Sequence, residues 1–268
     1  MAWSEFPLAR PPQLLKRQKI IAVVGATGAQ GGGLVRAIAA DQHSGFAARA
    51  LTRDVDSEKA RDLQKLGVEV VAADVDDRTS LERAFNGAYG AFCVTFFWNH
   101  FSPERELADT ENLAAAAQAA GLKHVIWSTL EDTRKRVPLD DERMPTLMGK
   151  YKVPHFDAKG EANGFFLDRG VPTTFLVTSA HLTGAQMAAS FTNALGVEVS
   201  YNEVAPETYR SFGFPGAEDL GNMFQFDRDF ETECLGARPS DGSLALNASL
   251  QDFDSWLAHN KSKIPLER

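Results

Sequence analysis

The fold of this chain is decided by one stretch near its start, Ile20-Ile21-Ala22-Val23-Val24-Gly25-Ala26-Thr27-Gly28-Ala29-Gln30-Gly31. Residues 20–24 form a short apolar run that is typical of a buried strand, and Gly25 ends the run. Farther along, Leu34, Val35 and Ile38 recur at helical spacing. The stretch therefore predicts a strand, a glycine-rich turn and the start of a helix.

Glycines in such a turn have separate roles. They allow a tight turn, let the backbone approach a phosphate, and let the helix pack closely on the strand. The helix N-terminus offers free N–H groups and a partial positive charge to a pyrophosphate. The alternative is a glycine-rich turn without a ligand, but here strand and helix stand on the correct sides. We predict dinucleotide contacts from Gly25, Ala26, Thr27, Gly28, Ala29, Gln30 and Gly31.

Apolar runs and helical patterns keep alternating up to about residue 177. Near-continuous apolar strands with short connections are typical of a parallel sheet that helices cover on both faces. The predicted class is α/β, a Rossmann-type doubly wound parallel sheet. Its strands are expected at 20–24, 48–52, 68–72, 91–94, 125–127 and 174–177, and its helices at 57–66, 80–85, 103–120 and 156–167.

The chain is expected to have three parts. Residues 1–19 are a flexible lead-in, 20–178 are the dinucleotide-binding domain, and 179–268 form a small C-terminal α/β lobe on the strand ends. This lobe is too short to be an independent domain. Its expected elements are a helix at 184–195, a strand at Glu198–Tyr201, two short helices of which the second covers 217–226, and a last helix with Phe253, Trp256 and Leu257.

Arg53 follows the second strand directly. Folds specific for NAD place an acidic residue near here for the ribose 2′-hydroxyl, whereas a cation accommodates the 2′-phosphate of NADP. A guanidinium matches phosphate with two parallel hydrogen bonds. Arg53 therefore favours NADP(H). The alternative is a solvated surface arginine, and the neighbouring Asp54 and Asp56 weaken the positive field.

The ends of the third and fourth strands supply further candidates. Asp74 and Val75 lie where a side chain can bond the adenine amino group, while Asp76 and Asp77 are better read as the start of a helix. The fourth strand ends where a dinucleotide runs toward its nicotinamide. Its aromatic side chains either wall a ring-binding pocket or belong to the core, and the sequence leaves both open. The candidate contacts there are Thr95, Phe96 and Phe97.

Composition excludes several classes of protein. The net charge is −8 and the pI about 5.3, so repulsion argues against direct nucleic-acid binding. Apolar stretches are too short for a membrane span, and no secretory signal is expected at the start. Cys93 and Cys234 suit neither a disulfide framework nor a zinc site, which makes the cytoplasm the default location. No histidine has the paired spacing of a metal ligand.

The glycine-rich stretch is similar to the cofactor loop of atypical short-chain dehydrogenase/reductase proteins. Segments 86–89, 155–160, 213–217 and 219–224 resemble the NmrA-like subgroup, a family of NADP(H) sensors. The resemblance covers nearly the whole chain after residue 19. It implies NADP(H) contacts from the glycine loop, Arg53, residues 95–97 and Lys159. It also implies a cytoplasmic, sometimes nuclear, location and switching between monomer and homodimer.

The resemblance also directs attention to one helix. Short-chain reductases use Tyr-x-x-x-Lys, in which the tyrosine donates a proton and the lysine lowers its pKa and holds the nicotinamide ribose. Lys159 takes the lysine position, but the residue four positions earlier is His155. Imidazole titrates near neutrality, so His155 is a candidate proton donor. The alternative is a partly exposed histidine at a helix start. Ser128 is placed to act as the partner serine.

The chain departs from the family after Thr178. Family members continue with several tens of residues that reach the nicotinamide end and extend the C-terminal lobe. Here, residues 181–186 resemble a segment well downstream in the family. We therefore expect a shortened lobe, which would leave the nicotinamide pocket open on one side and would argue against catalysis.

The sequence predicts a redox sensor or regulator and leaves an alternative function open. The sensor would read the NADPH/NADP ratio, with a regulatory protein partner or a homodimer as readout. In the NmrA-like subgroup, a histidine at the position of His155 is associated with such sensing. The other is an NADPH-dependent oxidoreductase acting on a quinone or another small carbonyl substrate, since hydride transfer to a quinone needs little acid catalysis. A degenerate structural subunit is a third reading. The residues do not decide whether the chain is an enzyme.

Overall fold

The computed structural model describes residues 18–41, 43–176, 181–237, 240–247 and 250–265. Six strands form one sheet: β1 (Lys19–Val23), β2 (Phe46–Thr52), β3 (Glu69–Ala72), β4 (Gly90–Cys93), β5 (His124–Ser128) and β6 (Thr173–Leu176). All neighbouring strands are parallel, and their order is β3-β2-β1-β4-β5-β6. The predicted doubly wound sheet is confirmed. The predicted lead-in lies outside the described residues except for residues 18 and 19.

Five helices connect these strands, and local signals start most of them. The side chains of Ser57, Asp77 and Ser102 each accept a backbone N–H from the first turn that follows, which satisfies donors that have no partner within a helix. The prediction that Asp77 starts a helix is therefore confirmed. The helices are α1 (Ala29–Ala40), α2 (Glu58–Lys65), α3 (Arg78–Phe85), α4 (Pro103–Ala119) and α5 (Pro154–Asp168).

The core lies on both faces of the sheet. Every residue of β4 is buried, and Trp127 of β5 packs against Phe166 of α5 with ring centroids 5.6 Å apart. Such strands read as continuous apolar runs because both of their faces are covered. Cys93 belongs to this core, and burial raises the pKa of its thiol.

The order of the sheet reverses between β1 and β4. Consecutive strands run outward from β1 to β3 on one side and from β4 to β6 on the other. At such a switch point the loops leave in opposite directions and open a crevice beyond the carboxyl ends of the strands. The glycine-rich stretch follows β1, so the fold places it in that crevice.

The C-terminal region contains only helices among its described residues. The predicted strand at Glu198–Tyr201 is wrong, because the backbone N–H of Val199 donates to Thr192 Oγ1 and the Val199 carbonyl accepts from the same hydroxyl. Of the helices below, the third extends three residues beyond its predicted end, and the fourth and fifth are additional to those predicted. They are α6 (Gly184–Leu195), α7 (Pro206–Arg210), α8 (Ala217–Asp229), α9 (Glu231–Ala237), α10 (Ser240–Leu246) and α11 (Phe253–Asn260).

The boundary predicted at residues 178 and 179, and the expected missing segment after Thr178, lie outside the described residues. None of the described helices has both the length and the apolar character needed to cross a bilayer.

Helix α8 is tied to the segment between β5 and α5. Asn222 donates to the carbonyls of Pro145 (2.9 Å) and Lys152 (2.5 Å), and Gln225 donates to that of Arg143 (2.7 Å). These side chains satisfy backbone carbonyls that have no strand partner. The C-terminal region is therefore hydrogen-bonded to the segment that precedes α5.

One carboxylate, that of Asp157, holds the segment between β5 and α5 at both of its ends. Asp157, fully buried in the first turn of α5, accepts from Thr133 (N 2.8 Å, Oγ1 2.6 Å), Lys152 N (2.7 Å) and Val153 N (3.1 Å). Both ends of the 133–153 segment are thus held by one side chain. Burial raises the pKa of Asp157, opposed by these hydrogen bonds.

We expect Asp157→Ala to lower the free energy of unfolding by about 3 kcal/mol, because three buried N–H donors lose their acceptor. Urea unfolding followed by tryptophan fluorescence measures the change. Asp168→Ala, an exposed carboxylate at the other end of the same helix, is the matched control and should stay within about 0.5 kcal/mol of the parent. Equal stability of the two variants would contradict this anchoring role.

Candidate functional site

The glycine loop after β1 is shaped by contacts that leave no room for side chains. Gly25 has φ +65°, and Gly28 N donates to its carbonyl (2.9 Å), which closes the turn. Ala26 N donates to Leu51 O of β2 (3.2 Å). A Cβ at Gly31 would lie 2.5 Å from the Gly25 carbonyl oxygen. Glycine at 31 is therefore what allows α1 to approach the end of β1.

The N-terminus of α1 fits an anionic group. Gly28 is its N-cap and supplies no side-chain acceptor, and no acidic residue stands in the first turn. The first N–H groups are thus left without a side-chain partner, and the positive end of the helix dipole is not neutralised. These features, together with the tight turn, fit the pyrophosphate of a dinucleotide.

Two cavities adjoin at this loop. The first has a volume of about 430 Å³ and the second about 580 Å³, and both border Gly25, Gly28, Phe96 and Asn99. Together they form one groove along the carboxyl ends of the strands, which is called the groove below. A groove with its centre at the phosphate loop suits a two-part ligand.

Arg53, Asp74 and Val75 line the first cavity, as predicted. Arg53 makes no hydrogen bond or ion pair with the described part of the chain, so its guanidinium is available to a ligand. A second cation, Arg105, is held by Asp76 (2.6 Å). The first cavity thus combines a free guanidinium with carboxylates, the pairing that a 2′-phosphate and an adenine amino group require.

Lys159 lies at the wall of the second cavity in a buried polar cluster. Its Nζ is 2.9 Å from Glu106 Oε1 and donates to Thr95 Oγ1 at 2.6 Å, while the Thr95 hydroxyl donates to Glu106. Burial lowers the pKa of Lys159, and the charge of Glu106 opposes that shift. The lysine is therefore fixed in position before any ligand arrives.

His100 continues this cluster on the side of the first cavity. Its Nδ1 accepts from Ser102 N (3.1 Å), which leaves the proton of the neutral ring on Nε2. Nε2 lies 3.6 Å from Glu106 Oε2, and neither atom has a hydrogen-bond partner. Burial lowers the pKa of His100, whereas burial raises that of the adjacent Asp109 to about 6. The cluster thus connects the two halves of the groove.

His155 is held by a carboxylate from the C-terminal region. Its Nδ1 lies 2.7 Å from Asp219 Oδ1, and its backbone N donates to Asp219 Oδ2 (3.1 Å). The reading of His155 as a partly exposed histidine is wrong, since it is only 5% exposed and lines the second cavity. His155 is buried because Asp219 of α8 packs against the start of α5, and no local pattern in the sequence indicates this contact.

The aromatic residues after β4 line the second cavity and also border the core. Phe97 is buried and Phe96 half-buried, yet both line the second cavity. Trp98 stands at the cavity mouth, 42% exposed, with its ring centroid 4.7 Å from that of His155. The wall of the pocket is therefore also the edge of the core.

All predicted contact residues except Ala26 line one of the two cavities. Ala26 is buried under the loop, where its N–H bonds β2. Ser128, expected as the partner serine, also lines the second cavity and donates to Gln30 Oε1 of the loop (2.9 Å). Direct contact of these residues with a cofactor stays a prediction.

Sequence reasoning missed two carboxylates, Glu106 and Asp219. Glu106 shares one face of α4 with Thr110, Leu113 and Ala117, all of them buried, so a charge on an apolar helix face was the available signal. Asp219 stands within segment 219–224, which was noticed only as a resemblance. Among the described residues, no group of three or more His, Cys, Asp and Glu side chains is arranged to hold a metal.

The strand order and the glycine loop at its switch point define a protein of the Rossmann class. Comparison with known sequences narrows the class. The NmrA-like family model matches residues 17–181, and the chain belongs to this family.

Curated relatives share part of their length with this chain. FrzB of Cladobotryum sp, an NmrA-like family domain-containing oxidoreductase, is 36% identical over 148 residues, 52% of this chain and 42% of its own. The oxidoreductase malD of Malbranchea aurantiaca is 29% identical over 185 residues, 67% of this chain and 52% of its own. The chain thus spans about half the length of these relatives.

Solved structures share the fold. NmrA, a negative transcriptional regulator in complex with NAD, has a TM-score of 0.70 at 19% identity, over 90% of this chain and 95% of its own. Triphenylmethane reductase of Citrobacter sp. complexed with NADP(H) has a TM-score of 0.65 at 19% identity, over 90% and 99%. At such identities the likeness concerns the fold.

The Lys159–Glu106 pair generates a stability prediction. Lys159→Met should cost about 3 kcal/mol of unfolding free energy, because it leaves the fully buried Glu106 carboxylate without its cation. The double variant Lys159→Met/Glu106→Gln should recover most of this loss, since no buried charge is then unpaired. Denaturant unfolding of both single variants and the double variant gives the coupling. Additive losses would mean that the two side chains do not interact.

Proposed function

We propose that this protein is an NADP(H)-dependent oxidoreductase of the NmrA-like family, acting on a quinone or another small carbonyl compound. The observation that carries the proposal is the groove itself. It begins at an unpaired Arg53, passes the glycine loop, and ends in a cavity where Lys159 and His155 share one wall. The oxidoreductase names of the curated relatives support this choice.

Each part of the groove suits one part of NADP(H). Arg53 would take the 2′-phosphate, Asp74 and Val75 the adenine, and the loop at Gly25–Gly31 the pyrophosphate. Residues 95–97 and Lys159 would hold the nicotinamide riboside. When bound, the reduced cofactor would supply a hydride. The chain itself would position the cofactor and the substrate, exclude water from them and donate a proton.

Lys159 is suited to hold a ribose rather than to act as a base. Its ammonium is neutralised by Glu106 and hydrogen-bonded to Thr95, so its charge and direction are set within the protein. An ammonium has three donors, and these two contacts leave one for a ribose hydroxyl. The lysine of Tyr-x-x-x-Lys thus keeps its binding role here although the tyrosine is absent.

The shape of the second cavity suits a substrate beside the cofactor. Its volume of about 580 Å³ falls within the range of small-molecule sites. Lys159 and His155 are its two ionisable wall residues among those described, and the other side chains around the mouth are mostly apolar or aromatic. A neutral, apolar carbonyl compound fits such a lining better than a charged one.

A redox sensor is the second candidate. The histidine at position 155 favours it, because it does not reproduce the tyrosine of typical reductases. A sensor would bind NADPH and NADP with different affinity in two states, and a tenfold difference corresponds to about 1.4 kcal/mol. Its readout would be a homodimer or a regulatory protein, in the cytoplasm or the nucleus.

Turnover separates the two candidates. We expect the protein to oxidise NADPH in the presence of a panel of quinones and small ketones, followed by the loss of NADPH absorbance. NADPH binding without turnover of any member of the panel would contradict the reductase proposal. The sensor would then predict different sedimentation with NADPH than with NADP.

Arg53→Ala should weaken NADPH binding by about 10- to 100-fold, because a charge-assisted hydrogen bond to phosphate is worth about 1.5–3 kcal/mol. NADH binding should stay unchanged, since it carries no 2′-phosphate. Quenching of tryptophan fluorescence measures both affinities. Arg61→Ala, an exposed arginine on α2 outside the groove, is the control for loss of charge. Equal losses for NADPH and NADH would remove Arg53 from the 2′-phosphate site.

A further inference from the structure

We propose that His155 donates the proton of the reaction, that Asp219 positions it, and that the substrate is a flat, conjugated carbonyl compound stacked on Trp98. This inference rests on the proposed reductase function and goes beyond it. It assigns a proton donor in place of the missing tyrosine, a partner from the C-terminal region, and a class of substrate.

The two hydrogen bonds to Asp219 fix the ring of His155. One carboxylate oxygen takes the backbone N–H of His155 and the other takes Nδ1. Because Nδ1–H donates to the Asp219 carboxylate, Nε2 lies on the opposite side of the imidazole ring and is left for another partner. Nε2 makes no hydrogen bond to the described residues, and His155 forms part of the cavity wall. The arrangement therefore aims one titratable nitrogen at the space where a substrate fits.

The helix places this nitrogen beside Lys159. Residues four positions apart lie next to each other on one face of an α-helix, and both side chains border the second cavity. A proton donor at position 155 therefore stands in the same relation to the lysine as the tyrosine of a typical short-chain reductase. Histidine in place of tyrosine thus keeps the position of the proton donor relative to Lys159 and changes the donating group from a phenol to an imidazole.

The groups around His155 hold its ring in place. Asp219 contacts it from α8, and Lys159 stands one turn away on its own helix, where it pairs with Glu106 of α4. The 97–99 helix contributes the rings of Phe97 and Trp98. A carboxylate bonded to one ring nitrogen fixes the tautomer and the orientation of an imidazole.

The chemical step balances with this donor. The reduced cofactor would supply a hydride to the carbonyl carbon, and the electron pair of the C=O π bond would move to oxygen. Nε2 of His155 would give its proton to that oxygen, so that an alcohol and the oxidised cofactor would result. His155 would be left neutral with Nδ1–H still bonded to Asp219, and it would regain a proton from water.

Trp98 indicates the class of substrate. Its ring is the most exposed aromatic of the cavity wall, and it lies 4.7 Å from the His155 ring at an angle of 51°. A flat conjugated molecule on the Trp98 face would place a carbonyl oxygen toward Nε2. Leu130 and Leu176 line the same cavity and add apolar contact.

The test uses NADPH with 9-fluorenone as a flat conjugated ketone and cyclohexanone as a non-aromatic one. His155→Gln keeps a donor for Asp219 but does not ionise, and should lower kcat for both ketones about 100-fold with NADPH affinity within twofold. Trp98→Ala should raise KM for 9-fluorenone about fivefold and not for cyclohexanone. Glu218→Gln, an exposed neighbour on α8, should match the parent.

Asp219→Asn provides a readout that does not depend on turnover. An amide can accept only one of the two N–H groups that the Asp219 carboxylate faces, so we expect nitrogen NMR of the His155 ring to show a changed tautomer in this variant, and kcat should fall with NADPH affinity unchanged. An unchanged tautomer would reduce Asp219 to a structural role and overturn its assignment.

The two levels of the proposal fail differently. A parent protein that oxidises NADPH with neither probe overturns the reductase function and this inference together. A parent that is active, with His155→Gln within threefold of it, leaves the reductase function standing and overturns His155 as the donor. Activity lost equally in Glu218→Gln would point to damage of α8 rather than loss of the acid.

Discussion

The close packing of α1 against the end of β1 is the constraint on which the groove depends. At Gly31 any side chain would collide with the backbone of Val24 and Gly25, and at Gly25 a Cβ would meet the Phe96 ring at 2.9 Å. The loop thus lies between α1 and the side chain of Phe96, a residue that follows β4, the neighbour of β1 in the sheet. This contact sets where a pyrophosphate can lie, and the remaining side chains are placed relative to it.

The sequence predicts the parts of the structure that depend on local physics. Apolar runs indicate all six strands, and the acceptors at Ser57, Asp77 and Ser102 mark helix starts, because these signals act over a few residues. The strand predicted at Glu198–Tyr201 is wrong for a related reason. Its alternating pattern is real, but the hydroxyl of Thr192 satisfies Val199, so no neighbouring strand is needed.

The residues of the site also fall into two groups, those that a local sequence pattern indicates and those that only tertiary packing brings together. The glycine loop and Arg53 follow from position in a strand-turn-helix pattern. The partners of His155 and Lys159 do not, since Asp219 and Thr95 are each 64 residues away in the chain, and only tertiary packing brings them together. A burial state such as that of His155 belongs to this second kind of information. No pattern within α5 distinguishes a histidine that faces water from one that α8 covers.

The attachment of α8 to the segment between β5 and α5 has a consequence for the order in which the groove is completed. Residues up to β6 contain the sheet, the loop and Arg53, and they leave the ribosome first. The carboxylate that orients His155 and the amides of Asn222 and Gln225 follow only later. Every described residue that lines the two cavities has therefore been synthesised before Asp219, and only the carboxylate that contacts His155 is added later.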